Sequence, residues 1–401
     1  MNNNTSRVVF DNAVGQYFVG DFVFDLGSLY AHFEKVADLR DPRGVRYRLA
    51  DVLTLILLAK LGGEDTLRGI SDWLRYRCQV LVEALGLKRG TMPHPTTLSR
   101  ILGYALDVIN LEKTLQHYFD DRVQDSREVV IAIDGKTLRG SIPVGKTRGI
   151  HILAAYLVGE GLVLFQVEVE RKENEISAAP RLLRQIDIRH KVVIGDAMHT
   201  QRALSIEIIR ARGDYIWTTK GNQADIHETI ARLFEPQPVS GGFSEIPTDF
   251  QTAMRINKGH GRLEKRTITT SAMLNDYLDW PYVGQVFKLE RQFINLRTGE
   301  ISEQTSYGLT SLSPAQATPA RLLKLLRSYW AIENSLHYRR DVTFNEDRCR
   351  LKLGHAARTM ATINNLALAL LQHQGYTNIP DARRRYAAFP LEALTLIMLK
   401  P

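Results

Sequence analysis

Three carboxylates stand in settings that could assemble a metal-dependent catalytic centre. Asp134 follows the apolar run of IAIDGKTLRG, Asp196 follows that of VVIGDAMHTQ, and Glu333 lies in SYWAIENSLHYRRDVTF, which has a helical pattern. Hard cations such as Mg²⁺ prefer oxygen ligands, and two of them about 3.5–4 Å apart can drive in-line attack on a phosphodiester. The three residues therefore predict metal-dependent phosphodiester chemistry.

The two aspartates share one setting. Each follows four or five apolar residues that are typical of a buried strand. Adjacent strands of an α/β sheet would bring both side chains to the carboxyl edge, where ligands bind. A single aspartate at a strand end is more often a helix cap or a turn residue, so the repetition of the setting supports the functional interpretation.

The glutamate lies on a predicted helix stripe. Trp330, Glu333, His337 and Arg340 fall at i, i+3, i+7 and i+10, which is one face of a regular helix. On this face Glu333 could bind metal while His337 and Arg340 meet phosphate oxygens. A solvated ion-pair network is the alternative. Three nearby acids compete for the role of third ligand: Asp341, Glu346 and Asp347.

A formal match to the phosphate-binding P-loop occupies residues 140–147, GSIPVGKT. That mechanism needs a strand directly before the first glycine and a helix opening at the Lys–Thr pair. Here the predicted strand ends at Ile133 and the following RGIHILAAYLV is strand-like. We therefore favour a basic turn that contacts phosphate through Lys136, Arg139, Lys146 and Arg148, with a solvated hairpin tip as the alternative.

Other hydrolytic chemistries have little support. The eleven histidines form no H-E-x-x-H motif, and no elbow motif supports a serine or cysteine nucleophile. Two cysteines exclude a disulfide framework and indicate a reducing, cytoplasmic setting. The N-terminus lacks the apolar core of a signal peptide, and the apolar run from Val52 to Leu61 is too short to span a bilayer.

The charge balance favours a polyanionic partner. The 401 residues include 52 Lys and Arg against 44 Asp and Glu, a net charge of +8. Hydrophobic and charged fractions of 44% and 24% are those of an ordinary globular protein. The length allows two or three domains. A nucleic acid is one partner that fits this charge, and a basic housekeeping surface is the alternative.

The first part of the chain is predicted to be helical. From Leu26 to about Asp125, short helices joined by tight turns carry several exposed basic residues. Such helices could form a helix-turn-helix reader of DNA, and a helical bundle with solvated charges is the alternative. The basic residues are Arg68, Arg75, Arg77, Lys88, Arg89 and Arg100.

From Val129 the pattern becomes α/β. A strand and a hairpin turning at Gly159–Gly161 are followed by alternating helices and strands, which predicts a mixed sheet flanked by helices. A β-rich insertion follows, and two long helices complete the chain. The predicted segments are 1–125 (helical, DNA-binding), 126–224 (first part of the core), 225–312 (insertion) and 313–401 (C-terminal helical part of the core).

Six motifs in order resemble the DDE transposases of bacterial insertion sequences, specifically the H-repeat-associated group. They are AIDGKTLRGS, ERKENEISAAPRLL, GDAMHTQ, TTKGNQ, GHGRLEKR and YWAIENSLHYRRDVTFNEDRCR. The segment from DPRGVRYRL to TLSRIL is similar to the family's N-terminal associated domain. The resemblance covers most of the chain.

The resemblance implies a ribonuclease-H-like core whose insertion separates the second Asp from the Glu. It implies Asp134, Asp196 and Glu333 as catalytic metal ligands for Mg²⁺, which Mn²⁺ can replace. Related groups carry Tyr, Arg and Lys around this Glu. In this chain Tyr329, Arg340 and Leu326 stand four before, seven after and seven before Glu333, and Arg340 can replace the Lys as a phosphate contact.

The resemblance also implies DNA partners, namely the terminal inverted repeats of the element and its target DNA, with a homodimer on DNA and no membrane. We expect a cytoplasmic, nucleoid-associated protein. Expected alternatives are a transposase-derived DNA-binding protein that lacks transposition activity, a stand-alone nuclease and, last, a P-loop NTPase. The residues expected to contact DNA are Lys136, Arg139, Lys220, Asn222, Gln223, His337 and Arg340.

Overall fold

The structure is a computed structural model that describes residues 8–11, 16–19, 22–120, 129–170, 172–235, 248–259 and 261–399. Its strands are β1 (Val8–Asp11), β2 (Gln16–Val19), β3 (Phe22–Asp25), β4 (Val130–Leu138), β5 (Ile150–Val158), β6 (Leu162–Val169), β7 (Val192–Gly195), β8 (Asp214–Thr219), β9 (Gln251–Gly259), β10 (Arg262–Ser271), β11 (Gln285–Asn295) and β12 (Ile301–Thr310).

Helices surround these strands, and two segments near Glu333 are π-helical. The π-helical segments there are Ile332–His337 and Arg339–Thr343. The α-helices are α1 (Leu29–Phe33), α2 (Leu49–Leu61), α3 (Leu67–Tyr76), α4 (Cys78–Ala84), α5 (Pro95–Arg100), α6 (Val108–Asp120), α7 (Glu175–Leu183), α8 (Arg202–Arg210), α9 (Ala224–Leu233), α10 (Pro319–Ala331), α11 (Ala356–His373), α12 (Ile379–Ala388) and α13 (Pro390–Met398).

Nine strands of the described chain form one mixed sheet, in the order β6-β5-β4-β7-β8-β12-β11-β10-β9. The central strands β4, β7 and β8 are parallel, and β5 and β6 form the predicted antiparallel hairpin. The apolar residues of β4 and β7 are buried, as their sequence predicts. Apolar burial on both faces of these strands therefore fixes the centre of the sheet.

The predicted β-rich insertion is continuous with this sheet. It begins with helix α9, and its last strand, β12, pairs with β8 from Tyr307 to Thr310. Strands β9 to β12 pair antiparallel over about their whole length, and their far ends are largely exposed. The insertion is therefore a long ribbon that extends the central sheet.

The N-terminal helices pack against the C-terminal ones. Every residue of α2 is buried, and the helix contacts α11, α12 and α13. Two ion pairs join the N-terminal helices to the C-terminal ones: Arg383 with Asp65 at 2.6 Å, and Arg358 with Glu112 at 2.7 Å. Because these charges are largely buried, their pairing offsets a substantial desolvation cost. The two ends of the chain thus share one hydrophobic core.

A small antiparallel sheet, in the order β1-β2-β3, precedes the helices. The prediction of an all-α N-terminal domain did not include it. The strand sequences VVFD, QYFV and FVFD are rich in β-branched and aromatic residues, which favour strands. As predicted for this region, the helices are short: residues 67–84 divide at Arg77 into α3 and α4.

Among the described helices, none is both long and apolar enough to cross a bilayer.

Candidate active site

The register of two parallel strands sets Asp134 beside Asp196. Strands β4 and β7 pair up to Ile133 and Gly195, and the two aspartates are the next residue on each strand. Neighbouring strands lie about 4.8 Å apart. Strand β4 then continues to Leu138 against β5 alone, so Asp134 lies within a longer strand than predicted. The two carboxylates occupy one edge of the sheet, where β7 ends.

Asp196 also organises the chain that follows it. Its Oδ1 accepts a hydrogen bond from the backbone N–H of Met198 at 2.9 Å and caps a short 3₁₀ helix at Ala197–His199. Two amides from the segment after β8 brace the same loop. Asn222 donates to the carbonyl of Ala197 at 2.6 Å, and Gln223 donates to that of Thr200 at 3.0 Å. These bonds hold the Asp196 loop in place.

Glu333 approaches from the helical side of the sheet. It lies in the π-helical segment that continues α10, and its side chain is exposed. A π-helical turn inserts an extra residue into a helix and often marks a functional site. His337, in the same segment, brings its Nε2 to 3.2 Å from Oδ2 of Asp134. The π-helical segment therefore lies directly over the sheet edge.

Tyr329 lies where four acids at this edge act on its phenol. Burial raises the pKa of its phenol, and the charges of Asp134, Asp196, Glu175 and Glu333 raise it further. These four negative charges all favour the neutral form of the phenol. With its pKa raised, Tyr329 keeps its proton at neutral pH and remains a hydrogen-bond donor.

Glu175 is an acid at this edge that sequence reasoning missed. It begins α7, and both of its carboxylate oxygens meet histidines: Nε2 of His151 at 2.8 Å and Nε2 of His199 at 3.3 Å. Burial works against its charge, but the hydrogen bond with His151 and the close contact with His199 prevail and lower the pKa of Glu175 to about 2. The motif ERKENEISAAPRLL contained this residue, but an acid after the cap Asn174 is also an ordinary feature of a helix start.

Gly135 allows Glu175 to lie against the strand. A Cβ at this position would come within 2.1 Å of Oε1 of Glu175. Successive residues of a strand face opposite sides. Gly135 meets α7, and Asp134 meets the segment after α10. These two helices therefore cover opposite faces of the sheet at the acidic edge.

The donor set at this edge has the chemistry of a hard-metal site. Carboxylate oxygens are the ligands that hard divalent cations prefer, and the acids that surround Tyr329 create the negative potential such an ion needs. Across the described residues, however, no three His, Cys, Asp or Glu side chains lie close enough to hold a metal. One oxygen of Asp134 faces His337 instead. The chemistry of the site fits a divalent cation, and the side chains would have to move inward to bind it.

Two of the four basic residues that were predicted to contact phosphate at the end of β4 pair with acids. Lys136 is nearly buried and forms an ion pair with Asp341, and Arg139 is exposed with its Nε 3.8 Å from Asp347. These pairs occupy two of the three acids that competed with Glu333 as third ligand. Lys220 is exposed just before the brace formed by Asn222 and Gln223. The side chains of Arg139 and Lys220 are therefore accessible to a phosphate, whereas that of Lys136 is held in its ion pair with Asp341.

Arg340 corrects the predicted helix stripe. Its side chain is 1% exposed and makes two hydrogen bonds from Nε to Glu346, at 2.9 and 3.1 Å. The stripe assumed a regular helix, and the π-helical turns rotate Arg340 into the core. The predicted phosphate contact at Arg340 is at odds with this placement. The same ion pair occupies Glu346, the last of the three competing acids.

The P-loop match lacks the required geometry. Residues 139–141 form one 3₁₀ turn, and the chain next enters β5 at Ile150. Gly140 lies against backbone, because a Cβ there would be 2.3 Å from the carbonyl oxygen of Cys349. The glycine therefore serves close packing of two backbone segments.

Comparison with known proteins gives consistent matches. The family model described as Transposase DDE domain matches residues 125–370, and one described as DDE_Tnp_1-associated matches residues 30–119. YncI of Escherichia coli O157:H7, named as a candidate transposase, is 30% identical over 349 residues, which are 86% of this chain and 87% of that protein. YhhI of E. coli strain K12, named as a candidate H-repeat-associated transposase, is 28% identical over 86% of this chain and 91% of its own length.

A solved structure of piggyBac transposase in a synaptic complex with hairpin DNA also matches. The match covers 91% of this chain and 79% of that one, with 11% identity and a TM-score of 0.40. A likeness at that level carries no argument about this chain.

Proposed function

The chain belongs to the DDE transposase family, and from this premise we propose that it cleaves DNA at the ends of its insertion sequence and joins the freed strand to target DNA. One observation carries the proposal. The β4–β7 register sets Asp134 beside Asp196, and Glu333 lies in the π-helical segment whose His337 contacts Asp134. These three carboxylates are the proposed metal ligands, on a core that we propose to be ribonuclease-H-like.

The proposed cofactor is Mg²⁺, with Mn²⁺ as a substitute. When bound, such ions supply Lewis-acid activation of a water or a DNA 3′-hydroxyl and stabilise the leaving oxygen. The protein supplies the oxygen ligands and their spacing. The hydrogen-bonded loop behind Asp196 and the pairing of β4 with β7 keep two of these ligands fixed.

Two side chains that can form hydrogen bonds flank the proposed reaction centre. Tyr329 retains its phenolic proton because burial and the surrounding acids raise its pKa. Its O–H can donate to a phosphate oxygen without adding charge. His337, now 3.2 Å from Asp134, can turn its Nε2 towards a phosphate oxygen when the carboxylate is taken up by a cation. Both side chains would then orient the scissile phosphate.

DNA contacts are proposed at the exposed cations near this edge, Arg139 and Lys220. Asn222 and Gln223 would act by holding the Asp196 loop, since their amide groups already donate to its carbonyls. Recognition of the element's ends is proposed for the N-terminal helices, where Arg68 and Arg75 of α3 are largely exposed. Two copies on the paired ends would form the predicted dimer.

Cleavage of end-labelled DNA that carries the element's own ends tests the proposal. Asp196→Asn is the sharpest variant, because an Asn side-chain oxygen can still cap the N–H of Met198 while the negative charge is lost. Asp187→Asn is a matched control, because Asp187 is exposed before β7, at the opposite edge of the sheet. We expect Mg²⁺- or Mn²⁺-dependent nicking by wild type and by Asp187→Asn. Asp196→Asn should bind the ends without cutting them.

Other outcomes identify other functions. End binding without metal-dependent cleavage by the wild type would indicate a transposase-derived DNA-binding protein. Cleavage without joining to target DNA would indicate a nuclease. If the wild type neither binds nor cleaves the ends, the proposal is overturned.

A further inference from the structure

Three arginines stand side by side across the ribbon. The register of β9, β10 and β11 pairs Arg266 with Arg255 on one side and with Arg291 on the other. Like charges directly opposite one another on neighbouring strands destabilise a sheet. A row of three such charges therefore needs an explanation beyond the fold of the ribbon.

Helix α10 adds charge to the same face. Arg255 and Arg266 line a cavity with Lys324 and Arg327 of this helix, and its apolar wall includes Leu323. Burial lowers the pKa of Arg266. Its neighbour Glu264 opposes that effect, and the charges of Arg327 and Arg291 add to it. The guanidinium groups are thus close enough to repel one another.

The described residues supply too few acids for these cations. Glu264 is buried and accepts hydrogen bonds from both Arg266 and Arg291. Asn257 Oδ1 accepts from Arg266 at 3.3 Å and from Arg327 at 3.2 Å. In the described part of the chain, neither Arg255 nor Arg327 lies within ion-pair distance of a carboxylate. Among the described residues, Arg255 and Arg327 thus leave the cavity with positive charge that an anion could neutralise.

The cavity lies near the proposed reaction centre. The guanidinium of Arg291 stacks over the ring of Trp330, 4.8 Å from its centroid. Arg327 precedes Glu333 by six residues, which is about 9 Å along a helix axis. Phosphates of one duplex strand advance about 3.4 Å per nucleotide along the DNA axis. This axial separation between Arg327 and Glu333 corresponds to about three nucleotide steps of a DNA strand.

We propose that this arginine cavity binds one backbone phosphate of the DNA strand that enters the acidic edge, about three nucleotides from the cleaved bond. The proposal rests on the function proposed above and adds a contact site on the insertion ribbon. A guanidinium fork matches the oxygens of a phosphate, and several forks can share one phosphodiester. The bound phosphate neutralises the arginine row and fixes the strand's register.

The first test removes Arg255 and Arg327, for which the described residues supply no acidic partner. Arg255→Gln with Arg327→Gln leaves the bonds between Glu264 and its two arginines intact, so the fold should persist. We expect weaker DNA binding by roughly tenfold at moderate salt, with the salt dependence of log K reduced by about 1. Without DNA, the melting temperature should stay the same or rise, because repulsion is relieved.

A matched double variant controls for loss of charge. Arg210 and Arg212 are exposed next to the start of β8, at the edge of the sheet opposite to the acids. Replacing both with Gln removes the same net charge and should leave the salt slope near that of the wild type. Overlapping salt slopes for the cavity variant, the control and the wild type would overturn the proposal, as would a lower melting temperature with unchanged DNA affinity.

Neutral methylphosphonate linkages locate the contact. Six pre-cleaved end duplexes are made. Each carries a single methylphosphonate linkage, at one of the first six positions from the cut. Wild type should lose affinity at a position near the third, and the cavity variant should show no loss there. A loss that persists in the variant would overturn the assignment.

Two controls separate this proposal from its alternatives. The affinity of the wild-type cavity for inorganic phosphate is compared with its affinity for DNA. If the two affinities are equal, the site binds a free anion and the DNA assignment fails. Cleavage of the same duplex by wild type is measured in parallel. If the wild type cleaves the duplex but the cavity variant binds DNA with the same affinity and salt slope as the wild type, this inference alone is overturned. If the wild type neither binds nor cleaves the ends, the proposed function is overturned.

Discussion

The sheet edge and the π-helical segment place acids in the same region by different means. Asp134 and Asp196 are set by backbone hydrogen bonds between β4 and β7. Glu333 is carried by a helical segment with π-type turns, and its side chain is exposed. A strand cannot shift by one residue without turning every side chain to the other face. The pair of aspartates is therefore fixed by the fold, and the glutamate can adjust.

Each region is supported by a buried charge cluster. Behind the π-helical segment, Arg340 pairs with Glu346, which also accepts from Asn364 at 3.0 Å. Behind the sheet edge, Glu175 is held by His151 and His199. The first cluster anchors a segment that departs from helical geometry. The second braces a strand edge that is already fixed.

The largest effect should come from the fixed pair. Asp134→Asn removes a charged oxygen with almost no change in shape, and we expect cleavage of end DNA to fall by at least about 10³-fold. Glu333→Asp retracts its carboxylate by one methylene, and the π-helical segment can compensate in part. A misplacement of about 1 Å costs on the order of 10²-fold. Single-turnover cleavage rates in Mg²⁺ and in Mn²⁺ make the comparison.

If Glu333→Asp is as inactive as Asp134→Asn in both metals, the glutamate is held as firmly as the aspartates. DNA binding by both variants should match that of the wild type, which separates loss of chemistry from loss of structure.

The next effect concerns the anchor of the adjustable region. Arg340→Gln leaves Glu346 charged and buried without its partner, which should lower the free energy of unfolding by about 3–5 kcal/mol. Urea denaturation measures the change. Replacing Arg340 and Glu346 together with Met should recover much of the loss. A phosphate contact at Arg340 would give the opposite pattern, namely unchanged stability with a smaller salt slope in DNA binding.

The sheet edge was easier to predict from the sequence than the π-helical segment. The setting of Asp134 and Asp196 was predictable, because a short apolar run before an acid identifies a buried strand and its end. The position of Arg340 was not, because a helical stripe assumes 3.6 residues per turn and the π-helical turns break that spacing. Glu175 was missed since an acid at a helix start has an ordinary capping role. Its histidines come from distant parts of the sequence, and only the fold brings them together.

The brace behind the fixed pair should respond to acid. The pKa of Glu175 is lowered from 4.5 to about 2, so the folded protein holds fewer protons there than the unfolded chain. Its contribution to stability is present above about pH 4.5 and is lost as the pH falls towards 2. The difference corresponds to about 3 kcal/mol. Unfolding of wild type and Glu175→Gln by urea should therefore differ most at neutral pH and converge near pH 2–3.

A constant difference between the two proteins across this range would mean that the charge of Glu175 does not contribute. His151→Gln is a useful companion variant. It removes one of the two ring donors and should narrow the pH range over which stability changes.

The smallest effect should follow from Gly135→Ala. The new Cβ would meet the carboxylate of Glu175, which is the free end of a flexible side chain and can move aside. The cost is then that of weakened bonds to His151 and His199, about 1–2 kcal/mol. The β4–β7 register should survive, so cleavage should fall far less than in Asp134→Asn, and the acid dependence of stability should shift towards that of Glu175→Gln. Loss of cleavage as complete as that of Asp134→Asn would instead mean that Glu175 controls the position of the fixed pair, and the distinction between a rigid edge and its brace would fail.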